Sequence, residues 1–389
     1  MTRPDMATFV VILTAAIFGL TYGLSAPLIA LELVDAGYSE TIVGANSAMH
    51  AIGVLLIAPF LPGLSLRLGF RKLAKGALLL AGVLFTLFPV VPVFLLWFPL
   101  RAALGAASET LLVVSETWLN QIASEAKRGR TIAIYVAALS TGMALGPAIL
   151  ALIGRQQSLA FLIGAGLALI ACLALVLGHP RDVMPERDDS GSPFRYLKVV
   201  PVAVAAAALN AGLETAGLSL LPVYAVNLGW HEKSATILLT ILLTGSIVLQ
   251  LPIGWLGDRM SRPMLIIFLA SFAACSAMIW PIALAHSWFA YPLLFVWGGA
   301  FAGIYTMVIA ALGDRYNGGE LVSIYALLSV AWGTGALFGP LLGGLAMEYS
   351  LHGLAILAAI SCASFAIFAT IHGEKRQPSG RLGSSELES

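Results

Sequence analysis

Arg101, Gly105, Ser108, Glu109 and Glu116 recur at spacings near three, four and seven residues within a stretch, 93 to 121, that is otherwise mostly apolar. On an α-helix that spacing gathers them on one stripe. A guanidinium and two carboxylates held away from bulk water can exchange protons, because desolvation favours the protonated carboxyl and a nearby cation favours the ionised one. Glu109 is the first candidate for such a proton carrier. It lies roughly 12 Å along the helix from Arg101 at 1.5 Å per residue, too far for an assured direct pair. Glu116, in Ser115-Glu116-Thr117-Trp118-Leu119-Asn120, stands near the end of the stretch and reads equally well as a structural bond to a loop or helix terminus. Glu214 sits about midway along a second apolar stretch, 199 to 227, with Asn210 one turn before it. It reads as lining a polar cavity or as a hydrogen bond within its own helix group. His50 follows Asn46 by one turn and reads as a packing histidine or a proton site. Tyr22, Trp297, Tyr305 and Thr306 are candidates for an amphipathic wall beside these groups.

Other chemistries find little to stand on. A nucleophile with its base is missing, as is a nucleotide-binding loop. Cys172, Cys275 and Cys362 are scattered through apolar stretches with no CxxC spacing, so they read as packing residues. Met260 and Met264 have the MxxxM spacing of a soft-metal pair, but no His or Cys is placed to join them, so no metal site is expected. The expectation is a chain that is not an enzyme, with no cofactor other than a proton gradient. A net charge of +1 gives no reason to expect nucleic acid as a partner.

These polar groups must be positioned by helices in a bilayer. Charged residues make up 11% of the 389 residues, hydrophobic ones 59%, and mean hydropathy is +0.92, against about 25% charged in a soluble domain. A bilayer core of about 30 Å needs about 20 apolar residues as helix. Twelve such spans are expected, at 7–33, 41–61, 73–91, 93–121, 131–153, 159–178, 199–227, 234–256, 263–284, 287–312, 321–347 and 353–371. Their continuity argues against the alternation of a β-barrel. The first is too long for a signal-peptide core and reads as an uncleaved helix. Inside them an ionisable side chain costs at least about 2.5 to 3.5 kcal/mol and demands a partner or a wet cavity. Glu32, Asp35 and Glu40 fall at the outer end of the first span, where solvation accounts for them.

The loops test that count. With both termini cytoplasmic, cytoplasmic segments hold 18 Lys and Arg: Arg3, Arg67, Arg71, Lys72, Lys75, Lys127, Arg128, Arg130, Arg181, Arg187, Arg195, Lys198, Arg259, Arg262, Arg315, Lys375, Arg376 and Arg381. External loops hold only Arg155 and Lys233, as the positive-inside rule requires. An odd number of spans would destroy the agreement.

The polar interruption at 179–198 divides six spans from six, and the two sets repeat at a nearly constant offset. Arg67 aligns with Arg259 at 192, and Gly142-x-x-x-Gly146-Pro147 with Gly335-x-x-x-Gly339-Pro340 at 193. At offsets of 192 to 198, Arg101 and Glu109 have no charged counterparts, whereas the window for Glu116 includes Asp314. The loop Gly254-x-Leu256-x-Asp258-Arg259-x-Ser261-Arg262 resembles the signature loop of the major facilitator superfamily, with Ser261 in place of the second glycine. A worn copy keeps Arg67, Gly69, Arg71 and Lys72 but has Leu66 where the aspartate would stand. The resemblance covers all twelve spans.

It implies an all-α, polytopic membrane protein of twelve transmembrane helices in two pseudo-symmetric six-helix halves, the major facilitator fold, with a site between them. The domains would be 1–178, a linker at 179–198, 199–371 and a disordered tail at 372–389. It implies that Arg67, Gly69, Arg71, Gly254, Asp258, Arg259 and Arg262 form gating loops, against a plainer reading of the arginines as anchors. Glycine-rich motifs at Gly142, Gly146, Pro147, Gly335, Gly339 and Pro340 read as helix packing; the family places such a motif in helix 5 of antiporters, and here the fuller copy is in helix 11. Arg101 followed by Gly105 is similar to an arginine motif of proton-driven drug exporters. The expected function is proton-coupled export of a small organic solute by alternating access, from a bacterial inner membrane, by a monomer whose partners are solute, protons and lipid. Uptake symport and a non-transporting receptor of the same fold are the alternatives.

Overall fold

The computed structural model describes residues 3–122, 128–154, 158–178, 193–316 and 318–372. Most of the expected linker and tail, and the side chains of Arg3, Lys127, Arg128, Arg155, Arg181, Arg187, Lys375, Arg376 and Arg381, lie outside the described residues. Most of the described residues are helical: α1 (Arg3–Asp35), α2 (Glu40–Ile57), α3 (Leu61–Leu68), α4 (Phe70–Leu87), α5 (Trp97–Ile122), α6 (Arg128–Ile153), α7 (Leu159–Gly178), α8 (Pro201–Asn227), α9 (Glu232–Val248), α10 (Gln250–Arg259), α11 (Arg262–Ala283), α12 (Ser287–Gly313), α13 (Gly318–Tyr349) and α14 (Gly353–His372). Long apolar runs adopt helix because only helix satisfies every backbone group within the segment. Prolines end up where helix tolerates them, as at the first turns of α8 and α11, or inside long helices that neighbours brace, as Pro147 in α6 and Pro340 in α13.

Among the described residues, ten helices or continuous helical stretches are long and apolar enough to cross a membrane. The two long helices outside that set are α4, which carries Arg71, Lys72 and Lys75, and α5, which carries Arg101, Glu109 and Glu116. Large apolar side chains such as Leu56, Phe60, Leu79 and Val83 are exposed around the periphery. The single span expected at 41–61 is longer in the structure. A short 3-10 turn, Ala58–Phe60, carries α2 into α3, just as Leu249 joins α9 to α10.

The packing partners recur along the chain. α1 packs on α6 as α8 packs on α13, α2 on α5 as α9 on α12, and α4 on α7 as α11 on α14. Glycine carries the closest of these contacts. A Cβ on Gly142 would overlap the Ala16 carbonyl and one on Gly146 the backbone at Gly23 and Leu24, so α1 and α6 meet backbone to backbone. Gly335 and Gly339 meet Ala208 and Gly212 of α8 in the same way, Gly53 and Gly105 join α2 to α5, and Gly245 and Gly298 join α9 to α12. Between the two sets, α2 packs on α13, α6 on α9 and α1 on α8. At the end of the molecule bearing the α1–α2 and α8–α9 turns, Gly44 lies against Pro340 and Gly344, and the Asn227 amide donates to the Glu40 carboxylate at 2.8 Å.

The two signature turns lie at the opposite, basic end. Gly69 joins α3 to α4 with φ +76°, a conformation that favours glycine. The second copy makes its turn through Met260 and Ser261 in extended conformations, φ −116° and −65°. Serine therefore replaces the glycine without strain.

Candidate functional site

Two polar clusters face each other where α1 meets α8. The first is built on α5. Gly105 sits against the carbonyl of His50, which draws α2 onto α5 and sets His50 beside Arg101, one turn earlier. Arg101 is 2% exposed. Among the described residues its hydrogen-bond partner is Ser25 on α1, whose Oγ lies 3.4 Å from Nη1, and Nε has none. Asn46 is buried with neither its amide nitrogen nor its oxygen paired, and His50 is buried with Nδ1 unpaired. Such a cluster is costly to bury unless something else completes its hydrogen bonds. The ring of Tyr22 lies over His50, centroids 4.9 Å apart.

The second cluster lines a cavity of about 210 Å³ among α8, α9, α11, α12 and α14. Glu214 and Asn210 form its polar wall, with the Asn210 amide donating to Glu214 Oε2 at 3.2 Å. Trp280, Trp297, Phe301 and Tyr305 form its aromatic wall. Trp297 is fixed by its indole N–H, which donates to the Ala273 carbonyl at 3.0 Å, and by Phe301, stacked at 4.8 Å. Trp280 meets Trp297 edge to face at 4.9 Å, and its own buried indole N–H has no partner among the described residues. Thr306 reaches the rim, where its hydroxyl donates to Gln250 Oε1 at 2.7 Å. Tyr22 joins the clusters, within electrostatic range of both Arg101 and Glu214.

Glu109 belongs to neither. It is half-buried two turns along α5, forms no hydrogen bond among the described residues, and its charged neighbour is Glu116 rather than Arg101. Glu116 is exposed at the basic end, beside a bond between the Ser115 and Tyr135 hydroxyls at 2.9 Å that ties α5 to α6.

The signature residues also separate by role. Arg262 forms an ion pair with Asp314 and donates to the Ala310 carbonyl at 2.6 Å, linking the start of α11 to the end of α12. Arg259 lies 3.8 Å above the Trp255 ring. Asp258 is exposed without a partner among the described residues, Arg67 is exposed, and Arg71 is half-buried. Gly254 has open space around it, whereas Gly257 packs on Met307. The motifs at Gly142, Gly146, Pro147, Gly335, Gly339 and Pro340 lie at helix contacts rather than at either cluster.

Ser25, Trp280 and Phe301 were not among the residues singled out from sequence. Ser25 is found only by knowing which face of α1 meets α5, and the other two only by knowing that α11 and α12 share a cavity.

The sequence profile of the Major Facilitator Superfamily matches residues 11–231 and, overlapping, 203–388. The chain belongs to the major facilitator superfamily. Among its relatives is an uncharacterised MFS-type transporter, YfkF of Bacillus subtilis (strain 168), 28% identical over 350 residues, which are 87% of this chain and 88% of that one. Among solved structures, the nucleoside transporter NupG superposes with a TM-score of 0.77 at 13% identity, covering 97% of this chain and 100% of NupG. A D-xylose-proton symporter superposes at 0.72 and 17% identity, covering 93% and 97%. These structures share the fold. Membership makes this superfamily chain an integral membrane protein of a transporter family, and the facing clusters are its candidate solute site.

Proposed function

We propose that this superfamily member is a proton-coupled secondary transporter that exports a small organic solute across a bacterial inner membrane by alternating access. Twelve crossings arise when α4 and α5 join the ten apolar helices and stretches, their charges turned to protein or to the basic end. They form two six-helix halves, 1–178 and 199–371, with solute held where α1 and α8 meet. The recurring packing pairs support this division, as does the doubled match to the family profile. The concentration of Lys and Arg at the end bearing the signature turns supports the reading of that end as cytoplasmic. The pairing of Glu40 with Asn227 and the contact of Gly344 with Glu40 then join the halves at the external end, which supports an inward-facing conformation.

The observation that carries proton coupling is Glu214, a carboxylate within a membrane helix, on a cavity, whose hydrogen-bond partner is a neutral amide. A carboxylate there is stable when protonated, or when the site opens to water. Movement of one half relative to the other changes which of these holds, so proton uptake and release follow the conformational cycle. Export is the direction favoured by the Arg101-Gly105 pattern on α5. Flux of a solute panel in proteoliposomes under imposed pH gradients tests the reading. Antiport requires that solute accelerate against the direction of proton flow; acceleration along it establishes uptake symport, and indifference to the gradient refutes proton coupling.

A further inference from the structure

We infer that Arg101, with Asn46 and His50, is the recognition site for the carboxylate of a small organic acid whose apolar body rests on the aromatic wall across the cleft. This rests on the transport reading above and adds the chemistry of the solute. The first ground is satisfaction. Arg101, Asn46 and His50 are at most 7% exposed, yet Arg101 Nε, both amide atoms of Asn46 and His50 Nδ1 lack partners among the described residues. Four unpaired polar atoms on two helices held together by Gly105 and Gly53 form a prearranged set, and a bound carboxylate would accept from its N–H donors at Arg101 Nε and the Asn46 amide.

The second ground is charge. Arg101 is the one Lys or Arg that the sequence places deep in a span rather than in a loop or near a span's end, and among the described residues it forms no ion pair. One fixed cation balances one negative charge, so a monoanion fits and a phosphate dianion would leave charge uncompensated in a poorly solvated site. The planar fork of a guanidinium matches a carboxylate in geometry, with the Asn46 amide available as a further donor.

The third ground is what lies opposite. Tyr22, half-buried, stands between the cluster and the cavity, whose walls are Trp280, Trp297, Phe301 and Tyr305. A solute that reaches from the cavity to Arg101 requires the Tyr22 side chain to turn aside. A solute with its acid group at Arg101 then places an aromatic or branched apolar body against the tryptophans. The 210 Å³ cavity limits that body to about one ring.

The test uses the full-length protein in lipid nanodiscs and three probes of nearly equal size: phenylacetate, phenylacetamide and phenethylamine. Binding is read from tryptophan fluorescence, since Trp280 and Trp297 lie at the cavity. Phenylacetate is expected to bind about tenfold or more tighter than either of the others, the difference a charge-assisted bond makes. Arg101→Gln should reduce phenylacetate to the level of the amide, and Arg101→Lys should restore part of the preference, because it keeps the charge and loses the fork. If Arg101→Gln does not fold, the probe series on the wild type and a weakened carboxylate preference in Asn46→Ala decide. Equal or tighter binding of the amide or amine, no saturable phenylacetate binding up to millimolar concentration, or unchanged preference in a folded Arg101→Gln protein would each overturn the inference. Binding is measured at equilibrium, so carboxylate preference without flux refutes transport alone. Flux of neutral or cationic solutes without that preference refutes this inference alone.

Discussion

Glu214 and Asp258 are both carboxylates, and their surroundings assign them to different tasks. Glu214 is bonded to Asn210 on the wall of a cavity and lies within reach of Tyr22 and Tyr305. Glu214→Gln keeps the size and the hydrogen bond and removes the titratable group, so pH-gradient-driven flux should fall at least about a hundredfold, as for loss of a proton-transfer group. Exchange of solute for solute, which moves no net proton, should survive; counterflow of labelled solute distinguishes the two. Asp258, exposed on the signature turn, is proposed to act on the conformational equilibrium instead. Asp258→Asn is expected to slow transport more than Arg67→Gln at equal expression, and equal rates in the two would remove Asp258 from the gate. The Arg262–Asp314 pair is partly solvent-exposed, so Asp314→Asn should change melting by no more than about 1 kcal/mol.

At the scale of elements, glycine decides how close the helices come. Gly105 and Gly339 have a neighbouring backbone where a side chain would start, whereas Gly254 has nothing within 4 Å. Gly105→Leu and Gly339→Leu should therefore abolish recovery of folded protein or separate the helix pairs. Gly254→Ala should leave melting unchanged or raise it by up to about 1 kcal/mol through better helix propensity. Gel filtration and thermal melting of the three variants check this. The helices themselves were legible in the sequence, because uninterrupted apolar runs leave the backbone no alternative in lipid. Their ends were legible to within a few residues, as at 353–371 against Gly353–His372. The stripe on α5 was legible from spacing, and yet its members divide in space, Arg101 toward His50 and Tyr22 and Glu109 toward Glu116. Periodicity places residues on a face. Which neighbour covers each level of that face depends on contacts between distant segments, and Ser25 and Trp280 entered the site by that route alone.

At the scale of the whole molecule, the contact proposed to close the external end is local and can be locked. Glu40 and Asn227 bridge α2 and α8 across 187 residues of sequence. A Glu40→Cys, Asn227→Cys pair, in a background lacking Cys172, Cys275 and Cys362, should cross-link under oxidation. Transport should then stop and recover on reduction; full activity in the cross-linked protein would contradict alternating access. The central claim is that solute movement and proton movement are one cycle, with Glu214 carrying the proton. It is tested most directly in proteoliposomes loaded with a pH-sensitive dye, by adding phenylacetate to wild-type protein and to Glu214→Gln. A solute-dependent proton flux in the wild type that is absent from Glu214→Gln, with counterflow retained, is the predicted result. A solute-dependent proton flux of equal size in both proteins, or solute transport by the wild type with none, would contradict it.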